Sequence, residues 1–201
     1  MKNVIGLSLL AFLLSSIFLL GGCTKSAQPP IPECNQKIGD FFPVVVGSTW
    51  EYQGEGNEYA SFSQEILFSG GNLAQFREDN GGTVSASVFK ISSEAVIRIF
   101  FLGEAYEPTN YLNSPSNENI VILKTPLQVG TKWTEPNGTR EIVDLNETVT
   151  TPAGSFSQCL KIKISNKDSI IYEYFKKGVG MVKREFISGD TRISSSLKKH
   201  T

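Results

Sequence analysis

Apolar and polar residues alternate along most of the chain beyond Asp40, as they do in a β-strand with one buried face. In one clear case the apolar positions are Phe62, Ile66 and Phe68, and the polar positions are Ser61, Ser63 and Glu65. A convincing helical repeat is not found in any segment. The pattern therefore predicts a body built of strands.

Turn-forming residues separate these segments at intervals of about ten residues, which is typical of an antiparallel meander. The turns in the first half are Gly54-Glu55-Gly56-Asn57, Gly70-Gly71, Asp79-Asn80-Gly81-Gly82 and Ser92-Ser93. The second half continues in the same way, with a tight turn at Thr151-Pro152-Ala153-Gly154. We predict an all-β fold: an antiparallel meander that forms a curved sheet, half-barrel or barrel-like body, with few or no helices beyond the N-terminal segment.

One connection is longer than a hairpin turn. Residues 103–119, GEAYEPTNYLNSPSNEN, have the composition of a surface loop. Loops of this length are often functional or mobile, so this segment is a candidate for either role.

Two short stretches resemble each other. VVVGSTWEY begins at Val44 and LQVGTKWTE begins at Leu127, and both contain Val-Gly-[Ser/Thr]-x-Trp. An internal duplication of a half-sheet explains the match, although five shared positions also arise by chance. Trp50 and Trp133 either fill the core, as large aromatic residues usually do, or line a ligand groove. We keep both as ligand-binding candidates.

The chain begins with an export segment. Lys2 is followed by seventeen uncharged residues from Val4 to Leu20, which suits a secretory signal or a short membrane span. Leu20-Gly21-Gly22-Cys23 then resembles the lipobox of bacterial lipoproteins. The resemblance implies that Cys23 is lipidated on sulfur and that the peptide before it is removed. Two or three acyl chains would make membrane attachment effectively permanent.

These features give the expected domain organisation and location. Residues 1–22 are the lipoprotein signal peptide, residues 23–40 a proline-rich tether, and residues 41–201 a single antiparallel β domain. We expect the protein on the extracytoplasmic face of a bacterial cell membrane or outer membrane. Thr24 in place of Asp implies that an inner membrane would not retain it.

Two further cysteines, Cys34 and Cys159, suit a disulfide in an oxidising compartment. Strand alternation in FSQCLKIKIS puts Cys159 on the face opposite Leu160 and Ile162. We predict that the end of the tether crosses the outer face of the sheet and is bridged there. Two free thiols in reducing surroundings are the alternative.

The charge balance argues against a nucleic-acid partner. The whole chain carries a net charge of −1, and because only Lys2 lies in the signal peptide, the mature chain carries −2. From Phe41 to Ile120 there are ten acids and three bases, and from Lys161 to Thr201 ten bases and four acids. Either the two halves pair across one sheet, or the basic half faces anionic headgroups or wall polymers through a patch comprising Lys176, Lys177, Lys183 and Arg184.

The residue types and motifs present in the chain disfavour most classes of catalytic site. The chain has one histidine, His200, beside a C-terminus that we expect to fray, which disfavours a histidine-based triad or zinc site. Phosphate-loop, dinucleotide and EF-hand motifs are not found, so we predict no metal and no cofactor. Carboxylate pairs remain open, with Glu51 and Glu65 or Glu141 and Glu173 as examples.

The motifs FFPVVVGSTWEY, PLQVGTKW, TPAGSF and YEYFKKGVGMVKRE resemble a group of uncharacterised bacterial lipoproteins with β-rich bodies. The architecture is also distantly similar to lipoprotein-carrier half-barrels, which hold acyl chains on a concave face. We therefore expect a tethered module that binds an apolar or extended ligand or a protein partner. The alternatives are a structural subunit of an envelope complex and, less favoured, a carboxylate hydrolase. We do not expect the protein to be an enzyme.

Overall fold

The computed structural model describes residues 37–201, which form twelve β-strands and two short 3₁₀-helices. The elements are η1 (Ile38–Phe41), β1 (Thr49–Glu55), η2 (Glu58–Ala60), β2 (Phe62–Gly70), β3 (Leu73–Asp79), β4 (Val84–Ile91), β5 (Ala95–Leu102), β6 (Ile120–Lys124), β7 (Lys132–Glu135), β8 (Gly138–Thr151), β9 (Gly154–Ser165), β10 (Ile170–Lys176), β11 (Gly180–Ser188) and β12 (Thr191–His200). Over this range, each helix is too short to cross a membrane.

All twelve strands belong to one antiparallel sheet in the order β6-β5-β4-β3-β2-β1-β12-β11-β10-β9-β8-β7. The sheet consists of two six-stranded meanders, β1 to β6 and β7 to β12, which are joined where β1 pairs with β12. It curves into a nearly closed barrel-like body with β6 and β7 at its two edges. The predicted all-β antiparallel class is confirmed.

The C-terminal strand lies in the middle of the sheet. β12 pairs with β1 on one side and with β11 on the other, and His200 is opposite Trp50. The backbone N–H of Thr201 also donates to the carbonyl of Thr49 at 3.1 Å. The expectation that this end frays is wrong, because its last residues pair with β1, a long-range pairing that local sequence does not reveal.

The two similar stretches have the same local geometry. Gly47 and Gly130 both adopt positive φ, of 85° and 90°, immediately before the first strand of their half. The N–H of Gly47 donates to Ile66 at 2.9 Å, and the N–H of Gly130 donates to Ile142 at 2.9 Å, each reaching the second strand of its half. Because the tryptophan is the second residue of the first strand in both halves, the match extends to structure.

The segment before β1 crosses one end of the barrel. In η1, Ile38 and Phe41 are buried, and the helix contacts β5 on one side and β11 on the other. The N–H of Gly178 donates to the carbonyl of Asp40 at 2.7 Å, and Lys177 forms an ion pair with the Asp40 carboxylate at 2.8 Å. This end of the barrel is therefore covered by chain that the sequence assigned to the tether and its junction.

Residues 103–119 pack on the outer face of β3 and β4. Gln75 lies on that face, its side-chain N–H donates to Thr109 at 2.8 Å, and its amide oxygen accepts from the N–H of Tyr111 at 2.7 Å. Ala105 donates to the carbonyl of Val84 at 2.8 Å. The predicted surface loop is thus fixed to the sheet by these hydrogen bonds and by others from Asn117 and Glu118 to β5.

The β8–β9 hairpin covers the outer face of the other half. Its tip turns at Thr151–Gly154, as predicted, and the N–H of Ala153 donates to Leu197 of β12 at 2.9 Å. The hairpin therefore reaches back past β10 and β11. Register shifts along β8 and a positive φ of 53° at Gln158 supply the bend.

Candidate functional site

The barrel contains a cavity of about 150 Å³ between the two halves of the sheet, and this cavity is partly open to solvent. Its wall has an aromatic side and a charged side. The lining includes the aromatic residues Phe42, Trp50, Phe76 and Phe89 and the charged residues Arg140, Glu173 and Arg184.

The aromatic side is a packed cluster. Phe42, which precedes β1, lies 5.2 Å from Phe76 and 4.9 Å from Phe89, measured between ring centroids. Phe76 in turn lies 5.1 Å from Phe89, edge on, and 5.9 Å from Trp50. These separations are favourable for aromatic pairs, so the cluster is a firm apolar wall.

The charged side centres on Glu173 of β10. Arg140 of β8 donates to one carboxylate oxygen at 3.0 Å, and Arg184 of β11 donates to the other at 3.2 Å. The side chains of Arg140 and Glu173 are only 11% and 7% exposed, whereas that of Arg184 is 39% exposed. Arg184 therefore lies where the cavity meets solvent.

Glu173 is held as a carboxylate. Its burial opposes ionisation, but the charges and hydrogen bonds of Arg140 and Arg184 outweigh that effect and keep its pKa below the ordinary value. One carboxylate thus accepts from two guanidinium groups, and the charge of Glu78, which also lines the cavity, acts on Arg184 as well. Within residues 37–201 every fully buried side-chain nitrogen or oxygen has a hydrogen-bond partner, so the guanidinium nitrogens that lack one are not fully buried.

Other polar groups on the wall are already paired. Gln64 donates to Glu78 at 2.8 Å, and Arg98 donates to Glu118 at 2.7 Å. The Tyr52 hydroxyl donates to the carbonyl of Met181 at 2.8 Å, and burial raises the pKa of this phenol. Tyr52 is therefore neutral and structural.

A seam separates the edge strands β6 and β7, and side chains cross it. The indole N–H of Trp133 donates to the carbonyl of Val121 at 3.0 Å, and the N–H of Val121 donates to the Glu135 carboxylate at 3.1 Å. Arg140 also reaches the carbonyl of Ile122, at 3.5 Å. Because Arg140 also binds Glu173, the seam and the charged side of the cavity share one residue.

The two tryptophan candidates lie apart. Trp50 lines the cavity, is 5% exposed, and donates its indole N–H to the carbonyl of Val179 at 2.7 Å. Trp133 is 7% exposed and lies at the seam, six strands away in the sheet order. Neither presents an open ring to solvent, and only Trp50 borders the cavity.

Among the cysteines, Cys23 and Cys34 lie outside the described residues. Cys159 is on the outer face, as its strand phase predicts, yet it is 0% exposed because the β8–β9 hairpin folds over that face. Its thiol donates to the carbonyl of Phe156 at 3.3 Å, and burial raises its pKa to about 11. The bridge to Cys34 stays a prediction.

The carboxylate pairs proposed from the sequence do not form a site. Glu141 pairs across the strands with Lys163, which is opposite Tyr172, so Glu141 and Glu173 point to opposite faces and that pairing is wrong. Glu51 and Glu65 both lie on the outer face. In residues 37–201, His, Cys, Asp and Glu residues form no group of three or more suited to a metal.

The four basic residues considered for headgroup binding all have partners. Lys177 pairs with Asp40, Lys183 with Glu185 at 2.8 Å, and Arg184 with Glu173. The Lys176 ammonium donates to the carbonyl of Ser157 at 2.8 Å. Among residues 37–201, however, no ion pair joins the acidic stretch Phe41–Ile120 to the basic stretch Lys161–Thr201, so these contacts do not support the account in which the two halves pair across the sheet.

Sequence reasoning missed Arg140, considered Arg184 only as part of a basic surface patch, and treated Glu173 only as half of a carboxylate pair. A pattern that could have revealed them was present: each is a charged residue in phase with inward-facing apolar residues of its own strand. Glu173, for instance, is two residues from Ile171 and from Phe175. Charged residues at inward positions need buried partners, and the three strands β8, β10 and β11 supply them here.

The sequence matches no protein-family model, and no curated protein matches it. One similar solved structure is a proposed lipoprotein from Parabacteroides distasonis, with a TM-score of 0.47, 15% identity, and coverage of 80% of this chain and 98% of that chain. Another is a proposed exported protein with a YmcC-like fold from Bacteroides fragilis, with a TM-score of 0.47, 13% identity, and coverage of 79% and 97%. Likenesses this distant support no inference about what this chain binds.

Proposed function

We propose that this chain is a lipid-anchored extracytoplasmic binding module that takes a small ligand into the barrel cavity. The anchor is Cys23, whose position after an apolar run and two glycines carries this part of the proposal. The binding part rests on one observation, the cavity with an aromatic side and a charged side.

The size of the cavity supports a binding role over a filled core. An apolar void of about 150 Å³ would cost about 3–4 kcal/mol if it stayed empty. The charged side instead lets water or a polar ligand occupy the space, equivalent to about five waters. A fold that needed only stability would gain by filling this volume with side chains.

A hydrolytic role receives less support from the same residues. A carboxylate hydrolase needs one acid that is protonated near neutral pH. Glu173 accepts from a guanidinium at each oxygen and has a lowered pKa, so it is a poor proton donor.

Exposed valines favour an envelope-assembly role as the second candidate. Val46 is 54% exposed and Val129 is 62% exposed, and each precedes the positive-φ glycine of its half. Since β1 and β7 run in the same direction, both valines lie at the end of the barrel that η1 covers. A protein partner could contact this end, and crosslinking in cells from position 46 or 129 would then capture one neighbour reproducibly.

The binding proposal is tested on the lipidated chain purified from its own membrane. Native mass spectrometry is expected to show a bound small molecule, and labelled palmitate is expected to be incorporated at Cys23. Ser87 lines the cavity, so Ser87→Phe should abolish the bound mass. Ser63→Phe, on the outer face opposite Glu51, is the matched control and should keep it. A bound mass that survives Ser87→Phe would place the ligand elsewhere.

A further inference from the structure

We propose that the ligand of the cavity is a small anion that carries one ring-sized apolar group, with the anionic group bound by Arg140 and Arg184. This inference rests on the proposed function and names the ligand class for the same site.

The formal charges of the cavity wall balance, so an anion would be selected by the hydrogen-bond donors of Arg140 and Arg184 and not by a surplus of positive charge. Arg98, Arg140 and Arg184 line the cavity together with only two acids, Glu78 and Glu173. Arg98 is neutralised by Glu118, at 2.7 Å, and Glu173 must serve both Arg140 and Arg184. The Glu78 carboxylate keeps its charge although it accepts from Gln64, and that charge acts on Arg184, so what remains open at the two guanidinium groups is hydrogen-bonding capacity.

The free donors are in a suitable place. Each guanidinium has five N–H groups, and Glu173 takes one from Arg140 and one from Arg184. Arg140 also donates to the carbonyl of Ile122, and the guanidinium nitrogens that have no hydrogen-bond partner are not fully buried. A carboxylate or similar planar anion between two guanidinium groups would receive charge-assisted hydrogen bonds, which are stronger than neutral ones.

The volume limits the apolar part. An enclosed apolar cavity of about 150 Å³ accommodates a molecule the size of benzene. The cavity measures about 150 Å³, and the rings of Phe76, Phe89 and Trp50 form its apolar side. A single ring or a short branched group fits this space, whereas a pair of acyl chains does not.

Three probes of similar size separate charge from shape: benzoate, neutral benzamide and cationic benzylamine. Each is titrated into the lipidated full chain in detergent micelles and followed by saturation-transfer NMR, with empty micelles as the baseline. We expect benzoate to bind about tenfold or more tightly than benzamide, as charge-assisted hydrogen bonds imply, and benzylamine to bind least.

Variants then locate the anionic group. Arg184→Gln should weaken the binding of benzoate to the affinity of benzamide. Because the Arg184 side chain is 39% exposed, we expect this variant to fold normally. Arg192→Gln, at an exposed position of β12, is the control and should leave all three probes unchanged.

The outcomes distinguish this inference from the proposed function. If benzamide binds as tightly as benzoate, or if Arg184→Gln leaves benzoate unaffected, the cavity binds ligands but the anionic class is wrong. If benzylamine binds most tightly, the ligand class is cationic and the inference is likewise overturned. If none of the three probes binds above the micelle baseline, the proposed cavity function fails together with the inference.

Discussion

Trp133 of β7 donates its indole N–H to the carbonyl oxygen of Val121 on β6, 3.0 Å away, and so joins the two edge strands of the sheet. Edge strands carry unpaired backbone groups that proteins usually cover or pair. Here side chains replace a backbone ladder, and the barrel is nearly closed at the point where its strand order ends.

Removal of this bond should loosen the seam. Trp133→Phe keeps an aromatic ring but leaves the Val121 carbonyl without its indole donor, and we expect a loss of about 1–3 kcal/mol in the free energy of unfolding. Amide hydrogen exchange should accelerate at β6 and β7. Trp50→Phe, which loses an equivalent bond to Val179, is the control and should leave exchange at the seam unchanged.

Glu173 should make stability depend on pH in a defined direction. Its pKa is lower in the folded protein than the ordinary 4.5, so the unfolded chain takes up the proton first as pH falls. The stabilisation is therefore complete above about pH 5 and is lost as pH falls through the folded-state pKa. Denaturant unfolding between neutral and acid pH measures this.

Glu173→Gln separates this contribution from those of other acids. Near neutral pH it should cost about 3–5 kcal/mol, because Arg140 loses its buried partner, and the deficit should shrink as pH falls. The control is Glu141→Gln, which breaks an outer pair with Lys132 and should cost less than about 1 kcal/mol. An equal loss in both variants would contradict the buried role of Glu173.

The glycines of the repeated turn should be sensitive to substitution for backbone reasons alone. At Gly47 and Gly130 an added Cβ would meet no atom within 4 Å, but φ is positive at both. Alanine should therefore cost about 1–2 kcal/mol at each position. At Gly103, which also has open space and an ordinary φ, alanine should be neutral or slightly stabilising. Equal effects at all three glycines in thermal unfolding would reject this explanation.

The predicted disulfide can be tested by counting the reactive thiols of the denatured protein. Because Cys23 is expected to be lipidated and Cys34 bridged to Cys159, the denatured mature protein should show no reactive thiol before reduction and two afterwards. Two thiols without reduction would reject the bridge. In that case Cys159, which is buried and has a pKa of about 11, should still react slowly in the folded protein at pH 8.

The strands and their turns were predictable because alternation and turn chemistry are local properties of the chain. Phe62, Ile66 and the Thr151–Gly154 turn fall where the pattern predicts them. The pairing of Trp50 with His200 was not predictable, since it joins residues from opposite ends of the β domain's sequence. The bend at Gln158 was equally hidden, because a non-glycine residue takes the positive φ.

The candidate site was predictable only in part. Trp50 was a candidate and does line the cavity, while Trp133 carries the same motif but lies at the seam. Arg140, Glu173 and Arg184 come from three strands, β8, β10 and β11, whose inward-facing side chains meet only once the strand order and register are known. Spacing along the chain does not encode that register, although the inward phase of each charge is visible in the sequence.

The most direct measurement of cavity binding uses the two tryptophans as internal reporters. The chain has two tryptophans, so a nitrogen–proton correlation spectrum should contain two indole signals. We predict that benzoate moves the Trp50 signal in a saturable manner and leaves the Trp133 signal unchanged, since only Trp50 borders the cavity. A titration in which the Trp50 signal stays fixed, or only the Trp133 signal moves, would contradict the account.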